Sequence, residues 1–366
     1  MMKIQNFGFD HVEFAVNDIE THARTYMRMG FEKIGERHLP ARGIKSWVLA
    51  QGMIRIMLTQ SDGSVNGAPE TTKEEALKFL KNQAEGICVL AVDVENATEA
   101  FNETVRRGAR PAMEPKTFET PEGRVTRSEI WTPAKVRYAF IERTNLSGLK
   151  GPALFDEGLV VSRLSSPSPR GLNHIDHLTN NVGMGEMATW VKYYKDVFGF
   201  VVSRHFDINT GRTGLTSDVV QSADGKIIVP INEATERTSQ VQEFVDRMKG
   251  PGIQHLALNV TELPVTLTEL RKEGFKFLTV PHSYYEIVPA RVPGVTEDLV
   301  EMEKLGVLID GEEEGYLLQI FSEEIVGPFF FEFIQRKGNK GFGEGNFKAL
   351  FEAIERDQIK RGVLKA

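Results

Sequence analysis

The chain has 366 residues, 41% of them hydrophobic and 26% charged, which is typical of an ordinary globular protein with room for two domains. Its 44 basic and 51 acidic residues give a net charge of −7 without a basic block, which argues against nucleic acid and anionic membranes as partners. A single cysteine, Cys88, excludes an intrachain disulfide. Because the first residues lack an apolar signal core and no apolar run approaches the roughly 20 residues of a membrane helix, we expect a cytoplasmic protein.

The first part of the chain predicts two successive units of a strand, a helix and further strands. Strands are expected at 7–16, 31–37, 45–50, 54–59, 86–94, 124–131 and 135–143, and helices at 20–29, 73–82 and 97–107. Residues 145–170 are rich in Ser, Gly and Pro, so we expect an irregular connection between two domains there.

After this connection the same order of elements begins again. Strands are expected at 172–182, 200–207, 215–221, 226–231, 253–260, 316–321 and 329–334, and helices at 185–198, 240–248 and 264–273. An amphipathic helix over 344–361 is expected to close the chain. We therefore predict one domain over residues 1–150 and a second over residues 151–366.

The repeat is visible in the letters of the sequence. Asp10-His11 recurs 166 residues later as Asp176-His177, and residues 86–91 recur at the same distance as residues 252–257. Residues 136–143 recur as residues 329–336, which are 193 positions further on, so the second half carries an insertion. Such self-similarity predicts two halves built alike, whose paired units form open sheets around a cavity.

One residue of the last predicted strand does not suit its surroundings. Glu332 follows three phenylalanines and precedes Phe333 and Ile334. An ionised carboxylate buried in such a place costs several kcal/mol unless it is paired or bound to a metal. The sequence therefore has to supply a partner for Glu332.

The repeat isolates that partner. The first half has His11, Val89 and Ala139 at three matched strand positions, and the second half has these residues there: His177, His255 and Glu332. Two imidazoles and one carboxylate from three strands are the ligand set of the facial triad that binds non-haem Fe(II) and leaves positions open for substrate and O2. The second domain is thus the predicted catalytic one, and the first is predicted to be non-catalytic.

Other interpretations of these residues stay open. Zinc accepts the same ligands, and an arginine could pair with Glu332 in place of a metal. Each of the eight histidines, taken singly, is more often structural than a ligand. His174 and His177 are three residues apart and so face opposite sides of a strand, and the repeat favours His177.

Several polar and aromatic residues of the second half lie on or beside the predicted strands. Singly the polar ones are structural hydrogen-bonding groups and the aromatic ones core, but together they are typical of a small-molecule pocket. The polar residues are Ser217, Asn232, Gln240, Gln254 and Gln319, and the aromatic residues are Phe321, Phe330, Phe342 and Phe347. Because side chains alternate along a strand, Gln254 is expected to point away from His255.

These motifs resemble the 4-hydroxyphenylpyruvate dioxygenase family. The resemblance rests on IDHLTNNV, VPINE, SQVQEF, GIQHLAL, GYLLQIFS, FFFEFIQR and GFGEGNF, in the family's order and spacing through the second half. The first half resembles the family only through GFDHVEFAV and its general order.

The resemblance implies an α+β vicinal-oxygen-chelate fold, in which tandem βαβββ modules form two open barrels and a C-terminal helix gates the site. It implies one Fe(II) per chain on the triad and conversion of 4-hydroxyphenylpyruvate and O2 to homogentisate and CO2. It also implies a homo-oligomer, either a dimer or a tetramer. By motif, Ser217, Asn232 and Gln240 would address the phenol, and Gln319 and Gln254 would address the keto-acid end or support the ligands. The phenylalanines Phe321 and Phe347 would sandwich the ring, with Phe330 and Phe342 completing the wall.

Three alternatives remain at this point. A 4-hydroxymandelate synthase would use the same substrate, iron and fold, but Pro230 and Asn232 in VPINE favour the dioxygenase. An extradiol catechol dioxygenase would use the same ligand types on a catechol. A non-catalytic module of this fold would bind a small aromatic molecule without turnover, and the complete triad argues against it.

Overall fold

The computed structural model describes residues 6–64, 75–145, 148–210, 213–343, 345–347, 355, 359 and 361–362. Within these ranges the strands form two large mixed sheets, one from each half of the chain. Among the described residues, we find no helix with the length and apolar character needed to cross a membrane.

The first sheet is built from two βαβββ units. Its ten described strands lie in the order β6-β7-β8-β5-β1-β4-β3-β2-β10-β9. The strands are β1 (Asn6–Ala15), β2 (Glu32–Leu39), β3 (Ile44–Gln51), β4 (Ile54–Ser61), β5 (Gly86–Val94), β6 (Arg110–Thr120), β7 (Gly123–Trp131), β8 (Arg137–Asn145), β9 (Ala153–Asp156) and β10 (Leu159–Val161). The helices are α1 (Ile19–Arg28), α2 (Glu75–Asn82) and α3 (Ala97–Arg106).

The second sheet repeats this plan with eight described strands in the order β12-β13-β14-β11-β15-β18-β17-β16. The strands are β11 (Leu172–Val182), β12 (Val201–Asn209), β13 (Gly214–Gln221), β14 (Ile228–Ala234), β15 (Gly252–Val260), β16 (Leu308–Glu312), β17 (Gly315–Phe321) and β18 (Phe330–Lys337). The helices are α4 (Met187–Tyr193, continued by a π-helical turn), α5 (Gln240–Met248), α6 (Leu263–Lys272), α7 (His282–Arg291) and α8 (Leu299–Leu305).

The two halves match in strand pairing as well as in order. In each half the first strands of the two units pair antiparallel in the middle of the sheet, β1 with β5 and β11 with β15. Each first strand also pairs parallel with the last strand of its own unit, as β15 does with β18. The tandem βαβββ modules predicted from the sequence are therefore confirmed.

β-Bulges recur at matched positions of the two central strand pairs. One extra residue lies on β1 at Asp10 and on β11 at Asp176. A second lies on β5 at Cys88 and on β15 at Gln254. A bulge changes which face the following side chains occupy, and these four positions adjoin the triad positions or their first-half equivalents.

The two halves share one hydrophobic core. Along β18 the side chains alternate, so that Phe329 and Phe331 face the first half while Glu332 faces the interior of the second sheet. The ring of Phe329 meets Phe14 edge to face with centroids 5.0 Å apart, and Phe331 meets Tyr26 in the same way at 5.9 Å. The strand that carries Glu332 therefore packs directly against the first half.

The structure corrects several predicted elements. The segment 145–170 is not wholly irregular, because β9 and β10 add two strands to the edge of the first sheet. Strand β6 was not predicted, since its mostly exposed side chains give no apolar run. The insertion in the second half forms α7, α8 and β16, which were also not predicted. Most of the closing helix predicted over 344–361 lies outside the described residues, which include helical positions 345–347, Glu355 and Ile359.

Candidate metal centre

The three predicted ligands meet in the interior of the second sheet. The Oε2 atom of Glu332 lies 3.3 Å from Nε2 of His177 and 3.5 Å from Nε2 of His255. All three side chains are buried, and each offers a ligand atom within 4.8 Å of the others. The structure therefore brings together residues that are up to 155 positions apart in the sequence.

Strand register explains the cluster. Ala257 lies opposite His177 on β11 and beside Glu332 on β18, while His255 lies two residues before Ala257 on the same face of β15. The methyl group of Ala257 leaves space between the three larger side chains. The same register in the first half places Ala91 beside His11 and Ala139. The two halves therefore have the same strand pairing here, but only the second half has all three ligand residues.

Each imidazole is oriented through its second ring nitrogen. Nδ1 of His177 lies 2.9 Å from Oδ1 of Asp176, and Nδ1 of His255 lies 3.1 Å from Oε1 of Gln254. These oxygens accept a hydrogen bond from Nδ1–H, so the Nε2 atoms that face Glu332 can offer a lone pair to a metal. Asp176 is itself fixed by Arg336, whose Nε and Nη2 atoms donate at 2.7 and 2.6 Å.

The ionisation of the three residues follows from their mutual contacts. Burial opposes the charge on His177, but the carboxylates of Glu332 and Asp176 outweigh it and raise the pKa of His177 to about 9. Burial lowers the pKa of His255. Burial would raise the pKa of Glu332, but His177 and His255 lower it to about 2. In the metal-free protein the site therefore holds an imidazolium–carboxylate pair.

These residues fit a divalent metal ion. Nitrogen and oxygen ligands bind such ions at about 2.0–2.2 Å, so donors on adjacent positions stand roughly 3 Å apart. The separations of 3.3 and 3.5 Å from Oε2 to the two Nε2 atoms are close to this value. The arginine that could have paired with Glu332 instead contacts Asp176, and no arginine contact of Glu332 is seen among the described residues.

Gln319 holds the other oxygen of the carboxylate. Its Nε2 atom donates to Oε1 of Glu332 at 2.9 Å, and its Oε1 atom accepts from Nδ2 of Asn346 at 2.8 Å. Gln319 is fully buried. Glu332 is therefore presented with Oε2 towards the two imidazoles and Oε1 engaged by the protein.

A small cavity adjoins His255. It has a volume of about 30 Å³. Its walls combine the predicted residues Asn232, Gln240, Gln254 and Phe347 with Thr179, Ile208, Leu215, Pro230 and Val241. Ser217 is buried and lies opposite Asn232 on the neighbouring strand β13, although it does not line the cavity.

Polar atoms at one end of this region have no partner among the described residues. These atoms are Oγ of Ser217, Oε1 of Gln240 and Nδ2 of Asn181. Nδ2 of Asn232 reaches Oδ1 of Asn181 only at 3.3 Å. Buried polar atoms without partners are rare in proteins, so these atoms call for a partner such as a ligand or an ordered water.

The predicted aromatic residues surround the ligand rings. Phe330 stacks on His255 with centroids 5.0 Å apart, and Phe321 meets the same ring edge to face at 5.9 Å. Phe342 meets His177 edge to face at 5.5 Å. Phe347 contacts Phe206 at 5.5 Å and lines the cavity. Three of the four phenylalanines thus fix the imidazoles and keep water from them.

The expectation that Gln254 points away from His255 is wrong. Gln254 is the extra residue of the bulge on β15, so it lies on the same side as His255 and touches its ring nitrogen. Sequence reasoning also missed the roles of Asp176, Arg336 and Asn346. The role of Asp176 could have been inferred from the sequence, because an aspartate precedes the histidine in both halves. In the first half, Asp10 makes the same contact with Nδ1 of His11, at 2.6 Å.

The chain matches known families along most of its length. Residues 172–286 match the family model described as Glyoxalase/Bleomycin resistance protein/Dioxygenase superfamily. Residues 3–123 match the model described as Hydroxyphenylpyruvate dioxygenase, HPPD, N-terminal.

Curated relatives cover nearly the whole chain. A 4-hydroxyphenylpyruvate dioxygenase from Legionella pneumophila (strain Corby) is 52% identical over 98% of this chain and 96% of its own. A Vibrio vulnificus protein named Hemolysin VllY is 38% identical over the same shares. Among solved structures, a triple mutant of 4-hydroxymandelate synthase from Streptomyces coelicolor superposes with a TM-score of 0.79 at 24% identity, covering 98% of this chain and 100% of that one. At that identity the likeness supports the fold alone.

Proposed function

Because the chain belongs to the 4-hydroxyphenylpyruvate dioxygenase family, we propose that it converts 4-hydroxyphenylpyruvate and O2 into homogentisate and CO2 during tyrosine and phenylalanine breakdown. The observation that carries the proposal is the buried cluster of His177, His255 and Glu332 beside a cavity with unpartnered polar atoms. The homo-oligomer expected from the family stays a prediction.

We propose that the ion held by this cluster is Fe(II), one per chain. Two neutral nitrogen donors with one carboxylate suit ferrous iron, and three protein ligands leave positions open for other molecules. When bound there, Fe(II) supplies the sites at which a 2-oxo acid and O2 react, and loss of CO2 from the substrate provides the electrons, so no second oxo acid is needed.

The protein groups then have separate tasks at the two ends of the substrate. At the metal end, Asp176 and Gln254 accept hydrogen bonds from Nδ1–H of the two imidazoles and keep Nε2 available. Gln319 holds Oε1 of Glu332, which fixes the direction of the second carboxylate oxygen.

At the other end we propose that three polar side chains bind the phenol. Oε1 of Gln240 would accept a hydrogen bond from the phenol hydroxyl, and Oγ of Ser217 would donate one to the phenol oxygen. Asn232 would orient that end together with Asn181. Phe347 would lie against the substrate ring, while Phe321, Phe330 and Phe342 exclude water from the ligands. The roles of all these site residues, including the triad as metal ligands, are part of this proposal.

Anaerobic reconstitution tests the function. The metal-free protein is loaded with Fe(II), mixed with 4-hydroxyphenylpyruvate and then exposed to O2, and the product is identified by chromatography and NMR. We expect one CO2 and one homogentisate for each O2 consumed, and no product from Glu332→Gln, which removes the charged ligand while keeping its shape. Glu313→Gln, at an exposed position, is the matched control and should keep full activity.

Other outcomes would contradict the proposal in different ways. Formation of 4-hydroxymandelate, an isomer of homogentisate, would assign the chain to the synthase reaction. Consumption of catechols in place of the 2-oxo acid would indicate ring cleavage. Absence of CO2 release from the Fe(II)-loaded protein would indicate a binding module without turnover.

A further inference from the structure

The insertion of the second half lies against the segment that covers the metal centre. Helices α7 and α8 lie between α6 and β16, and the matching connection of the first half, between α3 and β6, contains neither. The extra helices therefore occur only in the half that carries the complete ligand set.

The segment in question comprises residues 341–343 and 345–347, which we call the closing segment. It places Phe342 against His177 and Phe347 in the cavity wall, and between them Asn346 reaches Gln319. Asn346 is fully buried. The closing segment thus contacts the metal centre at three points.

A continuous set of hydrogen bonds joins α7 to this segment. The hydroxyl of Tyr284 lies 2.5 Å from Oδ1 of Asn346, and Nη2 of Arg291 lies 3.0 Å from the same oxygen. Nη1 of Arg291 also donates to the carbonyl of Gly345 at 2.8 Å. Beyond Asn346, the bonds continue through Gln319 to Oε1 of Glu332.

Donor and acceptor roles along this set are fixed by chemistry. The hydroxyl of Tyr284 accepts from the backbone N–H of Ile309 at 2.7 Å and from Nη2 of Arg291 at 2.7 Å. The hydroxyl of Tyr284 lies within donating distance of two oxygens, the carbonyl of Ile309 at 2.8 Å and Oδ1 of Asn346. Arg291 can only donate and faces the same Oδ1 atom, so this oxygen of Asn346 is an acceptor whichever of the two receives the proton of Tyr284. Burial raises the pKa of Tyr284 to about 12, which keeps this proton in place at any pH near neutrality.

Once its oxygen is occupied, Asn346 can present only its amino group to Gln319. Oε1 of Gln319 must then face Asn346, and its amino group must face Glu332. A rotated Gln319 amide would set its oxygen against a carboxylate oxygen, which is repulsive. The orientation of one residue therefore determines that of the next along the whole set.

We propose that Tyr284, Arg291 and Asn346 are positioning residues that fix the amide of Gln319 and thereby hold Glu332 with Oε2 directed at the metal. This role rests on the proposed assignment of Glu332 as a metal ligand. It gives the inserted helix α7 a function in the metal centre, although neither Tyr284 nor Arg291 touches a ligand of the metal.

The test compares two neighbouring tyrosines. Tyr284→Phe removes the hydroxyl that binds Asn346 and keeps the ring. Tyr285→Phe is the matched control, because the Tyr285 hydroxyl is buried on the same helix and has no hydrogen-bond partner among the described residues. Asn346→Ala is the second test variant, because it breaks the set on the other side of Tyr284 and leaves the contact between Tyr284 and Ile309 intact.

Metal affinity is measured by titrating each metal-free protein with Co(II) and following the visible absorption of the bound ion, with circular dichroism as a check of folding. We expect Tyr284→Phe and Asn346→Ala to weaken Co(II) binding about tenfold, at the lower end of the effect of groups that orient metal ligands, and to alter the absorption spectrum. Tyr285→Phe should match the unchanged protein in both respects.

Turnover with Fe(II) is a second measurement. The two test variants should lower kcat more than they change KM, and should consume O2 in excess of homogentisate formed. Wild-type Co(II) affinity and spectrum in Asn346→Ala would overturn the inference, and so would equal behaviour of Tyr284→Phe and Tyr285→Phe. If Tyr284→Phe fails to fold, Asn346→Ala decides alone. Because Co(II) binding does not depend on the substrate, failure of the proposed reaction would leave this result readable.

Discussion

At the residue scale, the ionisation of His177 determines how metal affinity depends on pH. The pKa of His177 is raised to about 9, because Glu332 and Asp176 stabilise the imidazolium more than burial destabilises it. A metal ion binds only the neutral ring. Below pH 9 each ion must therefore expel the proton of His177 before it can occupy Nε2.

The resulting pH dependence has a definite sign. Metal affinity should rise by about tenfold per pH unit between pH 6.5 and pH 9, and about one proton should be released per ion bound in that range. Calorimetric titration with Co(II) in two buffers of different ionisation enthalpy measures both quantities. An affinity that stays constant over this range, or binding without proton release, would contradict the assignment of His177 as a charged residue in the metal-free protein.

Some of these residue roles can be predicted from the sequence and others cannot. The place of Glu332 among phenylalanines, and the alanine at the matched position 139, are enough to indicate the triad. The position of Gln254 is not predictable, because alternation holds only for regular strands and the bulge on β15 breaks it there. The contact between Gln319 and Asn346 joins two segments whose proximity no local pattern reveals.

At the scale of elements, the closing segment depends on one glycine. Gly343 has φ of +73°, and a Cβ atom there would lie 1.6 Å from Oε1 of Gln319. A side chain at this position is therefore disfavoured by the backbone and also displaces the amide that holds Glu332. The closing segment can approach the metal centre only because residue 343 lacks a side chain.

Gly343→Ala should therefore lower metal affinity and turnover by more than about tenfold, towards the upper part of the roughly 10–100-fold range for groups that orient metal ligands. Gly185→Ala is the matched control, since Gly185 has φ of +83° and a Cβ atom there meets nothing within 4 Å. Both variants carry a similar backbone cost, and Co(II) titration with activity assays compares them. Equal losses in the two would show that strain, and not the contact with Gln319, is responsible.

Some helices and strands can be predicted from the sequence with their exact bounds, and others cannot be predicted at all. Strand β11 and helix α5 have the predicted bounds, because apolar runs and helical spacing are clear in both. Helix α7 was not predicted, since Pro289 lies inside it and no side chain caps its first turn. Strands β9 and β10 have three or four residues each, too few for an alternating pattern to be recognised.

At the scale of the whole molecule, the two halves are expected to unfold together. Residues of both halves share one hydrophobic core, and Phe331 of β18 is fully buried against Tyr26 of α1. Core contacts that cross between halves couple their stabilities, so that neither half opens without exposing apolar surface of the other. The sequence predicts two similar halves, but a repeat shows only that they are built alike and does not indicate which of their surfaces pack together.

Phe331→Ala should lower the free energy of unfolding by about 3–5 kcal/mol, the usual cost of deleting a buried phenylalanine ring. Calorimetry should still show a single transition, moved to lower temperature. Val300→Ala, at a side chain that is 76% exposed, should change stability by no more than about 0.5 kcal/mol. Two separate transitions, of which only one moves, would show that the halves are independent.

The matched bulges at Asp10 and Asp176, and at Cys88 and Gln254, bear on the ancestry of the molecule. Irregularities placed alike in two sheets are what duplication of one gene segment would produce. His11 contacts Asp10 as His177 contacts Asp176, so the first half keeps one imidazole with its carboxylate partner and lacks the other two ligands. Because strand pairing matches in the two halves, Val89 differs from His255, and Ala139 from Glu332, in the side chain on a shared backbone plan.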